Sequence, residues 1–256
     1  MSNFKNIFLD LDGTVYIDNQ IINNADNQIR RLKDEGYHIY YITNNTSKNT
    51  KHYISKLKKL GLPVVNNCII SPTNVIIEWI NNKNYKDIYV LGVQDLKDEI
   101  SEKTGVSINP KNAECVIITY DKELTYKKLE ETCKLINNGT PYFLSHLDLF
   151  CPTFNGNMPD CGSIGLMIEM TTGKKNNGHF GKPSDLMTNY IRNLIGNSDQ
   201  NILIGDRIQT DVKIGKKIGA KTVVVCSGEF KNDANKNYYL DNIEIHNTLT
   251  DYLMTL

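Results

Sequence analysis

Short apolar runs alternate with segments of helical spacing along almost the whole chain. The pattern predicts strands over 7–11, 38–43, 68–71, 87–91, 115–119, 142–145, 202–204 and 222–225. It predicts helices over 25–35, 48–60, 73–80, around Glu99, and over 126–137, 185–194 and 211–218. The run H-I-Y-Y-I-T at 38–43 is β-branched and aromatic and is closed by Asn44-Asn45, as expected of a strand ending in a turn. Gly36 and Gly61 stand where the first two helical patterns stop. Strands of this length alternating with helices predict an α/β fold: a doubly wound parallel-sheet core covered by helices on both faces.

Three stretches interrupt the alternation. Residues 145–163 (S-H-L-D-L-F-C-P-T-F-N-G-N-M-P-D-C-G-S) are rich in Pro, Gly and Asn and are expected to form a long loop, a feature more often functional than not. The polar segments 173–179 (G-K-K-N-N-G-H) and 81–86 (N-N-K-N-Y-K) suit crossovers between domains. Together they predict an inserted α/β cap over 79–178, flanked by two core segments, 1–78 and 179–256.

Composition narrows the function. The chain has 256 residues, enough for one large domain or two moderate ones. Lys plus Arg equals Asp plus Glu at 29 each and there is no long basic block, so neither nucleic acid nor a membrane surface is an expected partner. The start, M-S-N-F-K-N, leads straight into the first strand without a secretory pattern, and no apolar run approaches the roughly 18 residues of a membrane span. The six cysteines lack any C-x-x-C spacing, which suits reduced thiols in a cytoplasmic protein rather than disulfides or a thiolate metal site.

Polar residues gather at predicted strand ends, where open parallel sheets bind ligands. Asp10-x-Asp12-Gly13-Thr14 ends the first strand and Thr43-Asn44-Asn45 the second. Gly181-Lys182-Pro183-Ser184 precedes the 185–194 helix, and Gly205-Asp206-Arg207-x-x-Thr210-Asp211 follows I-L-I. Two like charges as near as Asp10 and Asp12 repel unless a cation lies between them.

Phosphoryl transfer would use all four groups. A carboxylate cannot approach an anionic phosphate ester without neutralisation, which Mg²⁺ on carboxylates provides. Asp10 and Asp206 can supply those carboxylates, Lys182 a second positive charge, and Thr43 and the backbone N–H of Asn44 hydrogen bonds to phosphoryl oxygens. Asp10, nearer the strand, suits a fixed nucleophile; Asp12, already in the turn, suits proton transfer to the leaving oxygen. Taken singly, each signal has a bland alternative: an acid–Gly turn, a surface lysine, an Asn loop, a helix cap at Thr210 and Asp211.

D-x-D-G-T, a strand ending T-N-N, G-K-P and G-D-x-x-x-T-D, in that order, resemble the motifs of the haloacid dehalogenase (HAD) superfamily over nearly the whole chain. The order of cap and motifs is similar to the subgroup of nucleotide, phosphoglycolate and nitrophenyl phosphatases. The resemblance implies Asp10 as nucleophile and Asp12 as general acid/base. It implies that Thr43, Asn44 and Lys182 bind the phosphoryl group. Mg²⁺ would be held by Asp10, Asp206 and the backbone carbonyl of Asp12, with Asp211 behind them orienting a metal-bound water or Lys182.

The expected activity is Mg²⁺-dependent hydrolysis of small-molecule phosphate esters through an aspartyl-phosphate, with the cap closing over the site. A phosphotransferase or mutase on the same site and a non-catalytic phospho-ligand sensor stay open, as does a homodimer. In the 145–163 segment relatives often carry N-P-D where this chain has His146-Leu147-Asp148, so the substrate does not transfer. His146 and Asp148 are candidates for substrate contact or a structural turn, and Cys151 and Cys161 are expected to be packing thiols. Arg207 is expected to pair with a neighbouring acid.

Overall fold

A computed structural model describes residues 6–153, 156–196, 198, 200–230 and 243–256. Their described parts form two compact units: Met1–Thr43, Tyr53–Ile70 and Thr188–Leu256 in the first, Asn44–His52 and Ser71–Met187 in the second.

The first unit is built on a six-stranded sheet. Its order is Glu244–His246, Lys221–Val225, Asn201–Gly205, Asn6–Asp10, His38–Ile42 and Ile69–Ile70, and every neighbouring pair is parallel. Asn6–Asp10 and Asn201–Gly205 are buried at every position, which is why they read as continuous apolar runs rather than alternating ones. One sheet face presents Ile7, Leu9, Ile39, Tyr41, Ile202, Ile204, Val223 and Val225. Against it pack Ile29 and Leu32 of helix Ala25–Asp34, Tyr53 and Leu57 of Thr50–Lys59, and Leu249, Tyr252 and Leu253 of Leu249–Leu253. On the other face Val224 packs with Val212 and Phe230. There a π-helical turn, Ile208–Val212, runs into helix Lys213–Lys217, where an uninterrupted helix over 211–218 was expected.

From Asn6–Asp10 the chain first adds strands on one side and later, from Asn201–Gly205 on, adds them on the other. The order therefore reverses between these two strands, and a crevice opens at their carboxyl ends. Leu9 pairs with Ile204, so Asp10 and Asp206 end adjacent strands.

The second unit has a four-stranded parallel sheet in the order Ser107–Ile108, Asp87–Leu91, Val116–Ile118, Tyr142–Leu144. Helices Tyr126–Asn137 and Cys161–Thr172 pack through Ile136, Cys161, Ile164 and Ile168 onto Val116, Ile118, Tyr142 and Leu144. Trp79 of helix Pro72–Lys83 lies against Phe143, which alternates to the opposite side of its strand, and against Phe180.

The 145–163 segment differs from the expected long loop. Phe150–Thr153 and Gly156–Pro159 form an antiparallel pair, Phe150 opposite Pro159, and residues 154 and 155 lie outside the described ones. The prolines can sit in a two-stranded ribbon because each strand has an unpaired edge. Asp160 then caps helix Cys161–Thr172, which the sequence pattern had not indicated. That helix contains two poor helix formers, Gly162 and Gly165, whose absent side chains admit close neighbours: a Cβ on Gly165 would stand 2.8 Å from Leu144.

All six cysteines are free, and burial pushes the thiols of Cys115 and Cys161 up to about 12. At pH 8 only about one part in 10⁴ of either would be thiolate. Iodoacetamide at that pH is expected to leave both unlabelled in the native protein and to label both after denaturation, as read by peptide mass mapping. Native labelling of Cys161 would contradict this burial.

Candidate active site

The Asn6–Asp10 strand ends where the backbone leaves the sheet in a tight turn: the carbonyl of Leu11 accepts the N–H groups of Thr14, Val15 and Tyr16. Gly13 takes φ +90 there, a conformation that other residues rarely adopt. Asp10 is buried while Asp12, beyond the strand, is half-buried. The two acids thus differ in environment, one fixed by the sheet and one held by the turn.

Asp206 follows the Asn201–Gly205 strand and is buried. Its Oδ2 accepts the backbone N–H of Glu229 at 2.6 Å, its backbone carbonyl accepts the N–H of Phe230 at 3.1 Å, and Thr14 Oγ1 lies 3.5 Å from its Oδ1. Ser227 Oγ donates to the carbonyl of Gly13 at 2.7 Å. The loop after Lys221–Val225 therefore braces both acid-bearing turns. Sequence reasoning missed it, although Ser227-Gly228 just after a strand is a turn signal of the same kind as the others. A Cβ on Gly228 would fall 2.0 Å from Asp206 Oδ2. Gly228→Ala is expected to displace Asp206 and lower kcat/KM about 10²-fold, since a misplacement of about 1 Å has that effect. Steady-state kinetics beside a thermal melt would check it, and unchanged kcat/KM would show that the loop does not brace Asp206.

Asp211 is completely buried, and its Oδ2 accepts the backbone N–H of Arg207 at 3.1 Å. Carboxylate oxygens of Asp10, Asp206 and Asp211 lie within 4.8 Å of one another. Three buried carboxylates so close repel strongly at low dielectric unless a cation neutralises them. The donor set is all oxygen, which suits a hard divalent ion such as Mg²⁺. Asp211, expected behind the ligands, is placed in the same cluster as the other two. Arg207 pairs with Glu229, Nε to Oε2, at 2.9 Å.

Thr43 is buried in the first unit directly after the His38–Ile42 strand, and its N–H donates to the carbonyl of Ile70 at 3.0 Å. Asn44 and Lys182 belong to the second unit and are both buried. Asn44 Oδ1 accepts the backbone N–H of Lys182 at 2.7 Å, and Asn44 Nδ2 donates to the Lys182 carbonyl at 3.3 Å. The side-chain amide of Asn44 thus mimics a strand partner for the residue carrying the lysine. Asn44 Nδ2 also reaches Asp148 Oδ2 at 3.3 Å.

Residues 7–106 match the family described as haloacid dehalogenase-like hydrolase, and residues 179–252 match one described as HAD-hydrolase-like. The chain is 28% identical over 235 residues to the 5'-nucleotidase YutF of Bacillus subtilis, covering 91% of each. It is 29% identical over 247 residues to the sugar-phosphatase AraL of the same species, covering 93% of this chain and 90% of that one. A 4-nitrophenylphosphatase from Thermotoga maritima superposes with a TM-score of 0.90 at 29% identity, covering 98% of this chain and 97% of the other. Fold, acidic cluster and relatives together define an enzyme, a hydrolase of the phosphoric monoester class. The chain belongs to the haloacid dehalogenase-like hydrolases. Among the described residues, no helix is long and apolar enough to cross a membrane.

Proposed function

We propose that the protein is a Mg²⁺-dependent phosphatase of small phosphorylated metabolites that works through an aspartyl-phosphate. The observation that carries this is the meeting of Asp10, Asp206 and Asp211 at the crevice where the strand order reverses. In this proposal Mg²⁺ would be held by Asp10, Asp206 and the backbone carbonyl of Asp12, with Asp211 orienting a metal-bound water or Lys182, and it would offset the charge of the phosphoryl group. Asp10 attacks phosphorus. Asp12 protonates the departing alcohol and then takes a proton from the water that hydrolyses the phosphoenzyme. Thr43, Asn44 and Lys182 bind the phosphoryl oxygens.

Residues 1–78 and 179–256 act as the core and 79–178 as the inserted cap. The protein works in the cytoplasm, and a homodimer is compatible with this reading. The names of the relatives support phosphate esters as the substrate class and differ in what they specify: a 5'-nucleotidase, a sugar-phosphatase and a 4-nitrophenylphosphatase. A panel of phosphorylated sugars, nucleotides and small acids, assayed with Mg²⁺ and compared by kcat/KM, tests the proposal. No phosphate release from any ester would defeat it, and phosphoryl transfer to added alcohols in excess of hydrolysis would make the enzyme a phosphotransferase.

A further inference from the structure

Asn44 and Lys182 are connected through hydrogen bonds and backbone to a buried pair that the proposed chemistry does not use. His146 is fully buried, with Nδ1 2.9 Å from Ser145 Oγ and Nε2 2.9 Å from Asp160 Oδ1. The same Asp160 oxygen accepts the N–H of Cys161 at 2.6 Å and so caps helix Cys161–Thr172. A carboxylate oxygen already accepting one N–H is an acceptor for the imidazole too, so Nε2 carries a proton. With both nitrogens bonded in a dry site, the ring cannot turn without leaving a polar atom unpaired.

The segment after His146 is held as firmly. Gly162 N–H donates to the carbonyl of Asp148 at 2.8 Å, and Asp160 N–H donates to that of Leu149 at 3.0 Å. A Cβ on Gly162 would stand 2.3 Å from the Leu147 carbonyl oxygen, so helix and segment are in close contact. This fixes Asp148, whose carboxylate lies 3.3 and 3.5 Å from Asn44 Nδ2. The amide of Asn44 in turn bonds both backbone groups of Lys182. His146 also touches the lysine segment directly, since a Cβ on Gly181 would stand 2.6 Å from His146 Cβ and from Asn44 Oδ1.

We infer that the His146–Asp160 pair positions the phosphate-binding residues Asn44 and Lys182 by holding Asp148 against the Asn44 amide. The inference rests on the roles proposed above for Asn44 and Lys182. Side-chain atoms of His146, Asp148 and Asp160 also come within 4.8 Å of one another, but the engagement of both ring nitrogens and of the capping oxygen assigns them to positioning rather than to an ion.

The experiment measures orthophosphate affinity by calorimetry in Mg²⁺ buffer and kcat and KM on 4-nitrophenyl phosphate, with a thermal melt for every variant. His146→Leu and Asp148→Ala are each expected to weaken orthophosphate about tenfold. Because they act along one path, the double variant should lose no more than the worse single one. His146→Gln, which still reaches Asp160 with a donor, should recover affinity to within about threefold of the native protein. If His146→Leu does not fold, His146→Asn, too short to reach Asp160, takes its place. Undiminished phosphate affinity in folded His146→Leu (or His146→Asn in its place), or losses that multiply to about a hundredfold in the double variant, would overturn the inference alone. Failure of the native protein both to bind orthophosphate and to hydrolyse esters would overturn the proposed function and this inference with it.

Discussion

Asp10→Asn is expected to lower kcat by on the order of 10³-fold or more while leaving the fold intact. The substitution replaces one carboxylate oxygen with an amide nitrogen of nearly equal size, so packing at the end of the Asn6–Asp10 strand changes little. Asp10 is buried between two strands of the core sheet, and the sheet depends on its backbone rather than its side chain. The amide is a poor nucleophile and a weaker ligand for a hard cation, so two contributions vanish together. The removed negative charge also relieves repulsion among Asp10, Asp206 and Asp211, so the thermal midpoint without metal should stay level or rise. Hydrolysis of 4-nitrophenyl phosphate beside a circular-dichroism melt measures both sides. Near-native turnover in the folded variant would remove Asp10 from the chemistry.

Chelation with EDTA is the second large expected effect: activity falls to background, and added Mg²⁺ restores it. The physical source is the same acidic cluster. Without a cation, the oxygens of three buried carboxylates face one another within 4.8 Å. With it, the charge is offset and an anionic ester can approach. The metal should also stabilise the fold by mass action, about 2.7 kcal/mol at a concentration 100 times its Kd, so the thermal midpoint should rise with Mg²⁺. In Asp206→Asn both the rise and the activity should shrink. Full turnover in EDTA together with a midpoint indifferent to Mg²⁺ would refute the ion's role.

The alternation of elements was legible because each strand is a short apolar run closed by turn residues. Strand 87–91 and helix 126–137 fall where the pattern places them. The segments that escaped are those whose stability is not local. Cys161–Thr172 is a helix with two glycines near its start, held by packing on Val116, Ile118, Tyr142 and Leu144. The antiparallel pair of Phe150–Thr153 with Gly156–Pro159 contains prolines and read as a loop because pairing between two strands leaves little trace in either one alone. In the site, the motifs around Asp10 and Asp206 stood out by residue type, whereas the brace from Ser227, Gly228 and Glu229 did not, since it acts through backbone groups and an absent side chain.

By itself the sequence determined the fold class and the family and singled out the residues proposed for phosphoryl chemistry, because periodicity and motif are properties of neighbouring positions. Tertiary structure alone decided that Asp211 joins Asp10 and Asp206, that Asp206 is braced by the loop after Lys221–Val225, and that Asn44 is tied to both Lys182 and Asp148. Those relations join residues far apart in the chain. They exist only once each unit folds and its buried polar groups must find partners.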